Sequence, residues 1–96
     1  MDRKHNIIVS RHPATVEWLR REVPALNDAP VFGSITPEQI RGKCVWGNVP
    51  LHLAALAAGL TVVEFTGTPP RGQEYGLAEM DAAGARLRSY TVIDNG

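Results

Sequence analysis

Short apolar runs alternate with amphipathic stretches along this chain, and their spacing predicts strands interleaved with helices. Asn6-Ile7-Ile8-Val9-Ser10 is an apolar, β-branched run of the kind that forms a buried strand. Pro13 suits the first turn of a helix, where a missing N–H costs nothing, and that helix is expected to run to about Glu22. Its apolar positions Val16, Leu19 and Val23 recur at helical spacing, while Glu17, Arg20 and Arg21 point elsewhere. Pro24 and Pro30 bracket a loop, and Val31 to Ile35 reads as a second, weaker strand. Thr36-Pro37-Glu38-Gln39 has the form of a helix start: a hydroxyl cap, proline at the first position, then an acid and an amide.

Lys43-Cys44-Val45-Trp46 predicts the next strand, ended by Gly47. A helix from about Pro50 to Ala58 follows, with Gly59 as its C-terminal cap. Leu60 to Thr66 is the strongest strand signal in the chain, and 67–76 is a loop by its glycine and proline content. Leu77, Met80, Ala83 and Leu87 mark the inner face of a third long helix, and Ser89 to Asp94 closes with a last strand. The expected fold class is therefore α/β. Residues 1–96 form a single compact Rossmann-like sandwich, a mostly parallel sheet of about five strands flanked by helices. Leu51 to Ala58 is apolar nearly all round, which predicts burial on more than one side, a second subunit being a natural cover.

Composition narrows the function classes. With ten Lys and Arg against ten Asp and Glu, the chain lacks the cationic excess that holds long nucleic acid, although a few local cations suffice for a small anion. No apolar run is long enough to span a membrane, and the N-terminal residues lack the apolar stretch of a signal peptide. Cys44 is the only cysteine and has no internal disulfide partner, so a reducing cytoplasm is the expected compartment.

In open α/β sheets ligands collect beyond the carboxyl ends of the strands, and three loops here meet that description. They hold Ser10-Arg11-His12-Pro13, then Gly47-Asn48-Val49-Pro50 with His52 just inside the helix, then Thr66-Gly67-Thr68-Pro69-Pro70-Arg71-Gly72-Gln73. Guanidiniums, imidazoles, hydroxyls, an amide and helix N-termini together make a kit for holding phosphates. Each residue also has a plainer reading: Arg11 as a surface cation, His12 as a cap, His52 as a packed or solvated histidine, Arg71 as a loop cation. His5, His12 and His52 match no metal-ligand spacing, so no metal and no other cofactor is expected. There is no Gly-x-Gly-x-x-Gly after the first strand and no Walker loop, which speaks against dinucleotide binding and NTP hydrolysis. Arg11-His12 resembles the strand-end Arg-His-Gly of histidine phosphatases over a few residues only, with Pro13 in place of the glycine.

A wider resemblance spans nearly the whole chain. Val9-Ser10-Arg11-His12-Pro13 with Glu17-Trp18-Leu19, then Gly47-Asn48-Val49-Pro50-Leu51-His52-Leu53-Ala54, resemble a small CRISPR-associated family found beside type III systems. So do Leu77-Ala78-Glu79-Met80, Ala83-Gly84-Ala85-Arg86-Leu87, Tyr90 and Val92. The resemblance implies a Rossmann-like fold related to CARF sensor domains, acting as a homodimer. It also implies ring nuclease activity: metal-independent cleavage of cyclic oligoadenylate, most of all cyclic tetra-adenylate, which switches off the antiviral signal.

Such a reaction uses the substrate's own ribose 2′-OH as nucleophile, leaving the protein to fix geometry and stabilise charge. Arg11 is then expected to hold the phosphate in a fork, completed by Ser10 and the N–H groups opening the first helix. His12 is cast as the base, and His52, or its mate across a dimer, as the group serving the leaving oxygen. Asn48, Thr66, Thr68 and Arg71 are the expected substrate-binding residues, Arg71 on its chemistry and not on the resemblance. Two other readings use the same loops: a non-catalytic cyclic-oligoadenylate sensor or sponge, and a different small phosphate-handling enzyme or ligand-free interaction subunit.

Overall fold

Residues 5–68 and 76–96 are described by the computed structural model, and they build one sheet with helices on both faces. The elements run β1 (Asn6–Val9), α1 (Pro13–Glu22), a 3-10 turn (Pro24–Asp28), β2 (Val31–Phe32), α2 (Pro37–Ile40) and β3 (Cys44–Gly47). They continue with α3 (Leu51–Ala54), β4 (Gly59–Phe65), α4 (Leu77–Ala82) and β5 (Ala85–Tyr90). The five strands lie in the order β2-β1-β3-β4-β5. The first four are parallel, and β5 returns antiparallel along β4. This is the expected Rossmann-like α/β sandwich.

Side chains alternate across the strands and divide the core in two. Ile7, Val9, Val45 and Leu60 face one layer, where Ile40 of α2 and Leu53 and Ala54 of α3 cover them. Ile8 faces the other, against Ala14, Trp18 and Leu19 of α1, Leu26 and Ala29 beyond it, and Met80 of α4. β1 is buried at all four positions, as a central parallel strand must be. The α1 stripe differs slightly from expectation: Ala14, Trp18 and Leu19 are buried, while Val16 and Val23 are only half-buried. Arg20 ties the 3-10 turn down, donating from Nε to Leu26 O and from Nη2 to Ala29 O. The start at Thr36 forms the reciprocal cap foreseen: Gln39 N donates to Thr36 Oγ1, and Thr36 N donates to Gln39 Oε1.

Four expectations are corrected. The apolar stretch from Pro50 to Ala58 holds only the one-turn helix α3; Ala55–Ala58 are turn residues, and Gly59 opens β4 instead of capping a helix. β2 stops at Phe32, leaving Gly33 to Ile35 in a loop. The long third helix ends at Ala82, because Gly84 takes a left-handed φ of 75° and turns the chain back. A Cβ at Gly84 would lie 1.9 Å from Thr66 Oγ1, so the turn is packed against the end of β4. Leu87 therefore reaches the core from β5, whose residues 85–90 replace the strand expected at 89–94. Cys44, at the start of β3, is half-buried.

Candidate functional site

The strand order reverses direction between β1 and β3: the chain leaves β1 for β2 on one side and reaches β3 on the other. Loops after strands flanking such a reversal diverge and leave a crevice at the carboxyl edge of the sheet. Here that crevice is a cleft of about 800 Å³. Ser10, Arg11, His12 and Thr15 line it from the β1–α1 connection, Gly33 to Ile35 from the end of β2, and Gly47 to Pro50 from the end of β3. Leu53 of α3 and Val62, Val63 and Phe65 of β4 supply an apolar wall.

Close backbone contact sets the floor. Gly47 has φ of 128°, a value that side-chain-bearing residues rarely adopt, and a Cβ there would fall 2.1 Å from Val9 O. The next residue, Asn48, donates its N–H to that same carbonyl at 3.0 Å. The two loops thus leave the sheet from a shared hydrogen-bonded point. Ser10 Oγ accepts from His12 N at 3.1 Å, a local turn that folds the chain into the N-cap of α1. His12 O then accepts from both Thr15 N and Val16 N, starting the helix.

Arg11 is exposed, and its Nε donates to Gly33 O at 3.0 Å. That bond ties the guanidinium to the loop that leaves β2. It leaves Nη1 and Nη2 without another partner among the described residues, and these are the atoms with which arginine forks a phosphate. Among the described residues lining the cleft there is an arginine, a histidine, three hydroxyls and an amide, and no carboxylate. A concave, largely apolar surface with that polar set suits an anion with an apolar part.

Of the residues expected to form the site, Ser10, Arg11, His12 and Asn48 are brought together in this cleft. His52 sits exposed on α3 and is not part of the lining, and Thr66 and Thr68 are exposed beyond the end of β4. Arg71 lies outside the described residues. Sequence reasoning misses Thr15, Gly33 and Ser34. Reading Val31 to Ile35 as one strand hides Gly33-Ser34, although that pair is itself a loop signal that places the end of β2 at the site.

A comparison with protein families finds a match over this architecture. The model of the family described as "Putative CRISPR-associated protein (Cas_VVA1548)" matches residues 7–93, from β1 to beyond β5. The chain belongs to this family. No curated protein and no solved structure matched it. The matched span contains every cleft residue, so the site belongs to the CRISPR-associated Cas_VVA1548 domain itself. No helix among the described residues is long and apolar enough to cross a membrane.

Proposed function

We propose that this CRISPR-associated chain is a ring nuclease that opens cyclic oligoadenylate, cyclic tetra-adenylate in particular. The observation that carries the reading is the cleft at the β1/β3 reversal. There Arg11, fixed through Nε, stands with Ser10 and His12 at the start of a ten-residue helix, with no carboxylate in the lining. Membership in a CRISPR-associated family supplies the setting for such a signal molecule, and the resemblance to type III-associated, CARF-related proteins suggests the substrate.

The chemistry needs little more than position. A ribose 2′-oxygen attacks its adjacent phosphorus while the bond from phosphorus to the 5′-oxygen breaks. The products are a 2′,3′-cyclic phosphate and a 5′-hydroxyl. The proton leaving the 2′-hydroxyl passes to a base, a role this reading gives to His12, and the departing 5′-oxygen gains one. His52 takes that second role if a partner copy brings it to the cleft. Arg11 stabilises the charge that accumulates on the non-bridging oxygens. Two copies in a homodimer would present each loop twice to a ring of repeated nucleotides.

The test is incubation of the purified protein with cyclic tetra-adenylate in EDTA, with products separated by chromatography. Linear products ending in 2′,3′-cyclic phosphate are expected. One observation favours a second reading, in which the protein binds the ring without cutting it: only one of the two expected imidazoles lines the cleft. An intact ring that co-elutes with the protein would select that reading, and the absence of both cleavage and binding would end both.

A further inference from the structure

β4 runs past its neighbour. Its last pairing with β3 is Trp46 with Thr61, and residues 62–65 pair only with β5. This overhang forms the apolar wall of the cleft, and its outer side is β5. Alternation places Val62 and Glu64 of β4 on one face together with Arg86, Arg88 and Tyr90 of β5. Arg88 is the direct cross-strand partner of Val62, which lines the cleft. Cross-strand partners stand about 5 Å apart at Cβ, so Arg88 is one side chain from the cleft wall. Arg86, 55% exposed, is the partner of Glu64, and Tyr90 is the partner of Leu60.

These side chains are organised among themselves. The Tyr90 hydroxyl donates to Glu64 Oε2, so its ring reaches along β4 towards the cleft end of the face. Arg88 sits over that ring, with Cζ 6.0 Å from its centroid. Arg86 Nη2 lies 3.9 Å from Glu64 Oε1, a loose approach outside hydrogen-bond range. Two guanidiniums thus stand against a single carboxylate, which only Arg86 approaches and which a phenol already engages. The patch keeps a net positive charge and an exposed aromatic ring, in a chain that is neutral overall.

We propose that Arg86 and Arg88, with the ring of Tyr90, continue the cleft of each copy as a phosphate-binding track for the nucleotides of the ring that lie outside the clefts. This rests on the ring nuclease reading and deepens it. A cleft of about 800 Å³ falls within the range that encloses drug-sized ligands. A ring of four nucleotides is larger and carries a phosphate at every step. Phosphates outside the cleft meet the two arginines, and an adenine stacks on Tyr90, as bases do on exposed aromatic side chains. The neutral whole and the basic patch agree: the track holds a short anionic ligand at one place.

The test compares the wild type with Arg86→Thr/Arg88→Thr, threonine being chosen because it suits a strand. Arg86→Gln/Arg88→Gln serves as a second variant should the first melt early. Equilibrium binding of cyclic tetra-adenylate and of linear di-adenylate is measured at several salt concentrations. The expected result is at least tenfold weaker binding of the ring by the variants, with less than twofold change for di-adenylate, the shorter ligand expected to occupy the cleft alone. The slope of log affinity against log salt should become shallower by about 0.7 for each phosphate that the variants no longer neutralise. Unchanged ring binding and slope would overturn the track, and so would equal weakening for both ligands. A wild type that binds the ring without cutting it overturns the nuclease reading and leaves the track standing if the variants bind weakly. A wild type that binds no ring overturns both.

Discussion

The α-carbon of Gly47 faces the carbonyl of Val9 so closely that a Cβ would stand 2.1 Å from the oxygen. Two neighbouring strands meet there without room for a methyl group, at the point where both site loops depart. Gly47→Ala is expected to cost about 2 kcal/mol or more, combining backbone strain with the clash. For a domain of this size each kcal/mol lowers the melting temperature by roughly 4–8 °C, which circular dichroism will read. Ligand affinity should fall further than stability, because Asn48 is displaced from Val9 O.

Arg11 predicts the opposite pattern. It is exposed and its structural bond to Gly33 O lies at the surface, so Arg11→Ala should leave the melting temperature nearly unchanged. Ring cleavage should fall about a hundredfold or more, the usual cost of losing a group that stabilises transition-state charge. Arg11→Lys should recover little, since an ammonium cannot fork a phosphate. Undiminished turnover in either variant would remove Arg11 from the mechanism.

Asp81 joins α4 to α1. Arg21 donates from Nη2 to Oδ1 at 2.7 Å and from Nη1 to Oδ2 at 3.0 Å, and Trp18 Nε1 donates to Oδ1 at 3.1 Å. The hydrogen bonds from Arg21 and then Trp18 hold the Asp81 carboxyl below its ordinary value of 3.8. A depressed folded-state value means that this stabilisation is complete above about pH 4 and is lost as pH falls through the lowered value. Denaturant midpoints of the wild type and Asp81→Asn should therefore differ at pH 7 and draw together as pH falls below 3.8 and through the lowered value. A constant gap would show that the carboxylate charge is not what stabilises the junction.

On the opposite face, the hydrogen bond to Glu64 raises the ionisation of the Tyr90 phenol above its ordinary value of 10.0. With the folded-state value raised, this contribution is complete below about pH 10 and is lost as pH rises through the higher value. In a Tyr75→Phe background, absorbance of the remaining tyrosinate should titrate later than a free phenol, and Glu64→Gln should bring it earlier. Titration unmoved by Glu64→Gln would mean that the hydrogen bond does not persist in solution.

Much of the fold was legible because its signals are local. The β-branched run at residues 6–10, Pro13 at a helix start and the Thr36–Gln39 cap each act within a few residues, and each formed the expected element. The errors cluster where local signals are ambiguous. Apolar spacing from Leu77 to Leu87 fits a helix as well as a short helix, a turn and a strand with Leu87 facing inwards. What separates the two is Gly84, held left-handed by close packing against Thr66.

The site divides in the same way. The sequence determined that Ser10, Arg11, His12 and Asn48 follow strands, since strand ends and helix starts are written in adjacent residues. Only the tertiary structure decided that β1 and β3 are neighbours with β2 on the far side, which opens one cleft between those loops and adds Gly33 and Ser34 to it. It also turned β5 antiparallel beside β4, setting Arg86 and Arg88 next to that cleft. The reason is physical: hydrophobic periodicity states which face of each strand is buried, but which strands pair depends on how all those faces are covered at once.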